Sequence, residues 1–149
     1  MFLNILVGVD GSPSSLRALE IATELARAGN ARLTLIAVAP PVSSYVTLAG
    51  VSSEQMGIEL DRWASGILAQ AVASVPSEVI AHTIQHRGHA GPEIVEELHR
   101  GTYDLVVLGS RGRGRTQEGL FGSVNAYVHF HGHVPLLTVP AADEAIAAP

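Results

Sequence analysis

The chain has 149 residues, 47% of them hydrophobic and 15% charged, with a mean hydropathy of +0.28; this is the length of one domain and too apolar for intrinsic disorder. It contains no cysteine, and its nine basic residues are all arginines, which excludes disulfide scaffolds, thiolate metal sites, a Walker-A lysine and a Schiff-base lysine. A net charge of −5 and a pI of about 5.7 argue against bulk attraction to nucleic acid or an anionic membrane.

Met1 to Val9 is apolar, but no basic segment precedes it and Asp10 follows at once, so it does not read as a targeting signal. No apolar run approaches the ~20 residues of a bilayer span. The expectation is a soluble cytoplasmic protein.

Leu3 to Val9 reads as a buried strand. Ser12 to Ala28 reads as a helix, with Ser12 as N-cap, Pro13 at the first helical position, and Gly29-Asn30 as its stop. Arg32 to Val38 is a second strand ended by Pro40-Pro41, and Ser43 to Val51 is irregular. A long helix is predicted over Ser53 to Ala73, interrupted in composition by Gly57 and Gly66, with Met56, Leu60 and Trp63 as core. Val79 to Gln85 is a third strand, Ala90 to Arg100 a helix, and Leu105 to Leu108 a fully apolar strand. Gly109 to Phe121 is a loop, Ser123 to His131 a short helix, and Leu136 to Val139 a fifth strand. The unit is expected to span residues 1–140, with 141–149 a flexible tail.

Alternating β and α segments with continuously apolar strands imply an α/β fold, a doubly wound parallel sheet with helices on both faces. Ligands of such sheets bind beyond the carboxyl ends of the strands, where the strand order reverses. That directs attention to Asp10, to Val38 and Ala39, to the His86–Gly91 turn, and to Gly109 onward.

The run from Gly109 to Ser123 leaves a strand and enters a helix. Glycines there let the backbone approach a phosphate, and the N–H groups of Gly122, Ser123 and Val124 would face an anion at the helix start. The Ser123 hydroxyl and the Asn125 amide offer further donors. Arg111, Arg113 and Arg115 supply guanidinium forks suited to phosphate oxygens. Composition alone fits a solvated surface loop as well.

Asp10 admits two readings: an acceptor for ribose hydroxyls or a water-bridged metal, or a cap at the turn into the helix. The P-loop pattern lacks its lysine, the dinucleotide fingerprint would need glycine at Gln117, and no G-x-S-x-G elbow occurs. The histidines at 129, 131 and 133, and the pair His82 and His86, read as surface or dimer-edge residues rather than as a metal site.

Gly109, Gly112, Gly122 and Ser123 meet the spacing G-x2-G-x9-G-S. With ILVGVDGSPSS, RGHAGPEIVE and YDLVVLGSRGRG, the chain resembles the universal stress protein family, ATP-binding class, from about Leu3 to Pro140. The resemblance implies a five-stranded sheet in order 3-2-1-4-5 and a homodimer through the edge of Leu136 to Val139. It implies ATP with Mg2+ (or Mn2+), Asp10 at the ribose or a magnesium-linked phosphate, and Val38 at the adenine. Gly109 would approach the ribose, while Gly112, Gly122, Ser123 and Val124 would hold phosphates. Leu108, Pro40 and the turn Gly88 to Ala90 would line the pocket. The segment from Tyr127 to Val134 is richer in histidine than the family pattern, and Glu118 lies within the phosphate loop.

The expected function is therefore a stress-response regulatory module whose nucleotide state modulates dimer contacts or an unknown protein partner. Efficient catalysis is not expected, because no general base is placed for it. Slow ATP hydrolysis or autophosphorylation, a nucleotide-free interaction module, and RNA binding through the arginine run are the alternatives. The last is opposed by an aromatic content of 5%.

Overall fold

The computed structural model describes residues 1–43, 49–111 and 122–142. The elements run β1 (Asn4–Gly8), α1 (Pro13–Gly29), β2 (Arg32–Ala39), α2 (Ser53–Ala73), β3 (Ala81–Arg87), α3 (Ala90–Arg100), β4 (Leu105–Gly109), α4 (Ser123–His131) and β5 (Leu136–Val139). All strand pairings are parallel, and the sheet order is β3-β2-β1-β4-β5, as expected.

Helix ends follow local chemistry. The Ser12 hydroxyl accepts from the Ser15 N–H, Pro13 opens α1, and Asn30 closes it in the left-handed conformation with φ 53°. Ser52 caps α2 by accepting from the Gln55 N–H. Neither Gly57 nor Gly66 interrupts α2, because Leu60, Trp63, Ile67 and Leu68 on one face pack against the core. Met56 is half-buried outside that cluster. β3 starts and ends two residues later than the sequence predicts, since its register is set by β2, from Leu33 opposite Ala81 to Ala39 opposite Arg87.

Strand residues alternate between two cores. Ile5, Val7, Leu33, Leu35, Leu105 and Val107 face α1 and α2; Leu6, Ile36, Val106 and Leu108 face α3 and α4 with Ile94, Leu98 and Val128. Ile5, Leu6, Val7, Val106 and Val107 are fully buried, which explains why β1 and β4 read as unbroken apolar runs. No helix among the described residues is long and apolar enough to cross a membrane.

Candidate functional site

The connections reverse direction at β1: its neighbours are β2 on one side and β4 on the other. The crevice beyond the carboxyl ends of β1 and β4 is the switch point, where open α/β sheets take their ligands. Three chain segments frame it: Asp10–Ser12 after β1, Pro40 after β2, and Ser110–Arg111 after β4.

The rim is fastened by serines at the start of α1. Ser14 Oγ donates to the Arg111 carbonyl at 2.6 Å, and Ser12 Oγ reaches the same oxygen at 3.2 Å. Gly109 lies directly under this turn: a Cβ there would stand 2.5 Å from Ser14 Oγ and 2.7 Å from the Ser15 nitrogen. Glycine at 109 is thus required by close packing of β4 against α1.

Asp10 Oδ1 accepts from the Ser12 N–H at 2.9 Å, and the Asp10 N–H meets Ser15 Oγ at 3.2 Å. The capping role is therefore realised through one carboxylate oxygen. The second oxygen receives no hydrogen bond from the described residues, and the side chain is half-buried at the crevice.

The opposite wall is α4. Its N-cap is Gly122, with φ −61° and ψ 159°, and no side chain caps it. Gly122 N–H donates to the Ser110 carbonyl at 3.3 Å, and Ala126 N–H to the Gly122 carbonyl at 3.2 Å. The intervening N–H groups of Ser123, Val124 and Asn125 lie in the first turn, where no intrahelical acceptor exists. The contrast with α1, whose first turn is closed by Ser12, makes α4 the electropositive helix end open to a ligand. Ser123 is exposed, so its hydroxyl is available beside those donors.

Asn125 is placed differently from a ligand-facing amide. It is 3% exposed; its Nδ2 donates to the Gly109 carbonyl at 2.8 Å, and its Oδ1 accepts from Thr138 Oγ1 at 3.0 Å. It ties the start of α4 to β4 and β5. Val38, Leu108 and Val124, expected in three separate segments, share one apolar cluster on the α3–α4 face. Pro40 is half-buried and Arg111 exposed at the rim. Gly112, the remaining arginines of the loop and Glu118 lie outside the described residues.

Sequence reasoning missed a polar cluster beside this wall. His86, opposite Val38 in the register, is not a surface residue: its side chain is 11% exposed. Its Nδ1 lies 2.9 Å from Glu93 Oε2 and its Nε2 3.4 Å from Glu97 Oε2. Tyr103 donates to Glu97 Oε1 at 2.8 Å, and burial followed by this carboxylate partner pushes the phenol up to about 12. The signal was present in sequence: Glu93 and Glu97 stand four apart, on one face of α3. Which strand residue they would meet depends on the β2–β3 register.

Fold and crevice together place the chain among doubly wound parallel α/β domains with an open switch point. More particularly, it belongs to the universal stress protein family, whose model matches residues 1–140. A universal stress protein of Mycobacterium tuberculosis is 29% identical over 93% of this chain but 48% of its own length. The chain thus spans about half the length of the first such relatives. Universal stress protein YxiE of Bacillus subtilis is 30% identical over 93% of this chain and 99% of its own.

Among solved structures, the universal stress protein UspA from Lactobacillus plantarum superposes with a TM-score of 0.75 at 24% identity, covering 92% of this chain and 97% of that one. A universal stress protein in complex with cAMP gives 0.64 at 27%, over 95% of this chain and 98% of that one. The Archaeoglobus fulgidus protein in complex with dAMP gives 0.67 at 21%, over 92% and 97%.

Proposed function

We propose that residues 1–140 bind an adenine nucleotide, ATP with Mg2+ (or Mn2+), and act in the stress response as a regulatory module. The nucleotide state then alters contacts with a second copy or a protein partner. The observation that carries this reading is the uncapped N-terminus of α4, facing the turn after β4 across the switch point. Structures of relatives in complex with cAMP and dAMP support the adenine nucleotide class.

In this reading Ser123 and Val124 N–H groups, with Gly122 and Gly112, hold the phosphates. Asp10 turns its second carboxylate oxygen to the ribose or to a metal-bound water, and Gly109 lets the sugar approach. Val38, Pro40 and Leu108 flank the base, and Arg111 faces the phosphate chain. The bound cation would supply neutralising charge. β5 has one neighbour in the sheet and offers its free edge to a second copy. A cytoplasmic location accords with this role.

The test is release of bound nucleotide from denatured, freshly purified protein, identified by mass spectrometry, followed by titration of the emptied protein with Mg-ATP. Bound adenine nucleotide, with affinity lost in Gly122→Val, supports the reading. Absence of both nucleotide and titration signal overturns it and turns the search to protein partners.

A further inference from the structure

The far end of α4 carries a second cluster. Its last turn holds His129 and His131, Gly132 closes it, and His133 follows. His99, in the last turn of α3, joins them from the neighbouring helix. His99 Nε2 lies 2.9 Å from the carbonyl oxygen of His131. A carbonyl only accepts, so Nε2 carries the hydrogen and Nδ1 of the neutral ring presents a lone pair. Metal-binding imidazoles are oriented in this same way, by donating the other N–H to a backbone carbonyl.

The ring of His133 lies beside that of His99, with centroids 5.9 Å apart and planes inclined by 20°. Two imidazoles bound to one ion through metal–nitrogen bonds of about 2 Å place their centroids roughly 5–6 Å apart. His133 is also held at φ 54°, in the left-handed region. A side chain kept there against the steric cost points to a role for that side chain. The carbonyl ends of α3 and α4 meet at this place, and both favour positive charge. Arg100, the nearest cation on α3, is engaged by Glu96 at 2.6 Å and Glu97 at 3.7 Å.

We propose that His99 and His133 form a two-imidazole site for a divalent transition cation of the zinc class. Among the described residues no three metal-binding side chains converge, so water completes the coordination shell. The site lies at the opposite end of α4 from Gly122 and Ser123, and its occupation is independent of nucleotide.

The experiment is calorimetric titration of the full, tag-free chain with Zn2+ at about pH 7.5. Three variants are compared. His133→Asn removes the imidazole but tolerates the left-handed backbone. His99→Gln retains a donor for the His131 carbonyl. His82→Asn removes an exposed histidine on β3. Thermal melts without metal establish that each variant is folded. One Zn2+ per chain, weakened about tenfold or more by each of the first two changes and unaffected by the third, is the expected result. Absence of binding, binding that survives both His99→Gln and His133→Asn, or equal loss in His82→Asn overturns the proposal.

Discussion

Ser14 holds the backbone of Arg111 from both sides: its hydroxyl donates to the Arg111 carbonyl at 2.6 Å and accepts from the Arg111 N–H at 3.3 Å. The contact joins residues 97 apart in sequence and fixes how the chain leaves β4 at the switch point. Ser14 is 2% exposed, so no water replaces the hydroxyl if it is removed.

Ser14→Ala is therefore expected to cost about 1–3 kcal/mol of stability, the penalty for a buried backbone group left short of a partner. The same change loosens the exit of β4 and weakens nucleotide binding severalfold. Urea denaturation and Mg-ATP titration of the variant check both parts. An unchanged denaturation midpoint would show that the serine is dispensable.

Gly109 and Gly122 belong to one motif but answer different constraints. A Cβ at 109 meets backbone atoms of α1 at 2.7 Å. Gly109→Ala is expected to destabilise the fold by about 1–3 kcal/mol through overpacking. A Cβ at 122 has the Ser110 carbonyl oxygen 3.6 Å away as its nearest neighbour, and its φ of −61° suits any residue. Gly122→Ala is thus expected to melt like the wild type while losing nucleotide affinity. Thermal melts alongside titration separate the two; a destabilised Gly122→Ala would refute the assignment.

Much of this was legible in sequence. The apolar runs of β1 and β4 fixed a buried parallel sheet, and Ser12-Pro13 and Gly122-Ser123 marked the helix starts. What escaped was whatever depends on register or on a contact between distant segments. Asn125 reads as one more donor in a glycine-rich loop, yet Thr138 and Gly109 engage it once β5 lies beside β4. His86 reads as an exposed strand histidine until the pairing with β2 sets it between Glu93 and Glu97. Asp10 could be read as a cap or as a ligand group, and the Ser12 N–H accounts for one of its two oxygens.

Asn125 and Thr138 are expected to act as a unit. Asn125→Ala strands the Gly109 carbonyl and the Thr138 hydroxyl in a buried setting, at a cost of about 1–3 kcal/mol. Thr138→Val removes the other half of the pair. A double-mutant cycle by chemical denaturation should return a coupling of about 0.5–3 kcal/mol, as for residues in direct contact. Strict additivity would dissolve the link between α4 and β5.

The chain has neither lysine nor cysteine, so tyrosine is the one side-chain type whose ordinary titration falls between about pH 9 and 12. Tyr103 ionises near 10.0 when unfolded and is pushed up to about 12 when folded, by burial first and then by its hydrogen bond to Glu97. Between those values the folded state binds the proton more tightly than the unfolded one. The resulting stabilisation is complete below pH 10 and is lost as pH rises towards 12. Denaturation midpoints across this window should fall, and Tyr103→Phe should flatten that fall by removing the phenol. Ultraviolet titration should show the last tyrosinate step, at about pH 12, missing from the same variant. A fall in stability of equal slope in Tyr103→Phe would mean that another group carries the alkaline transition.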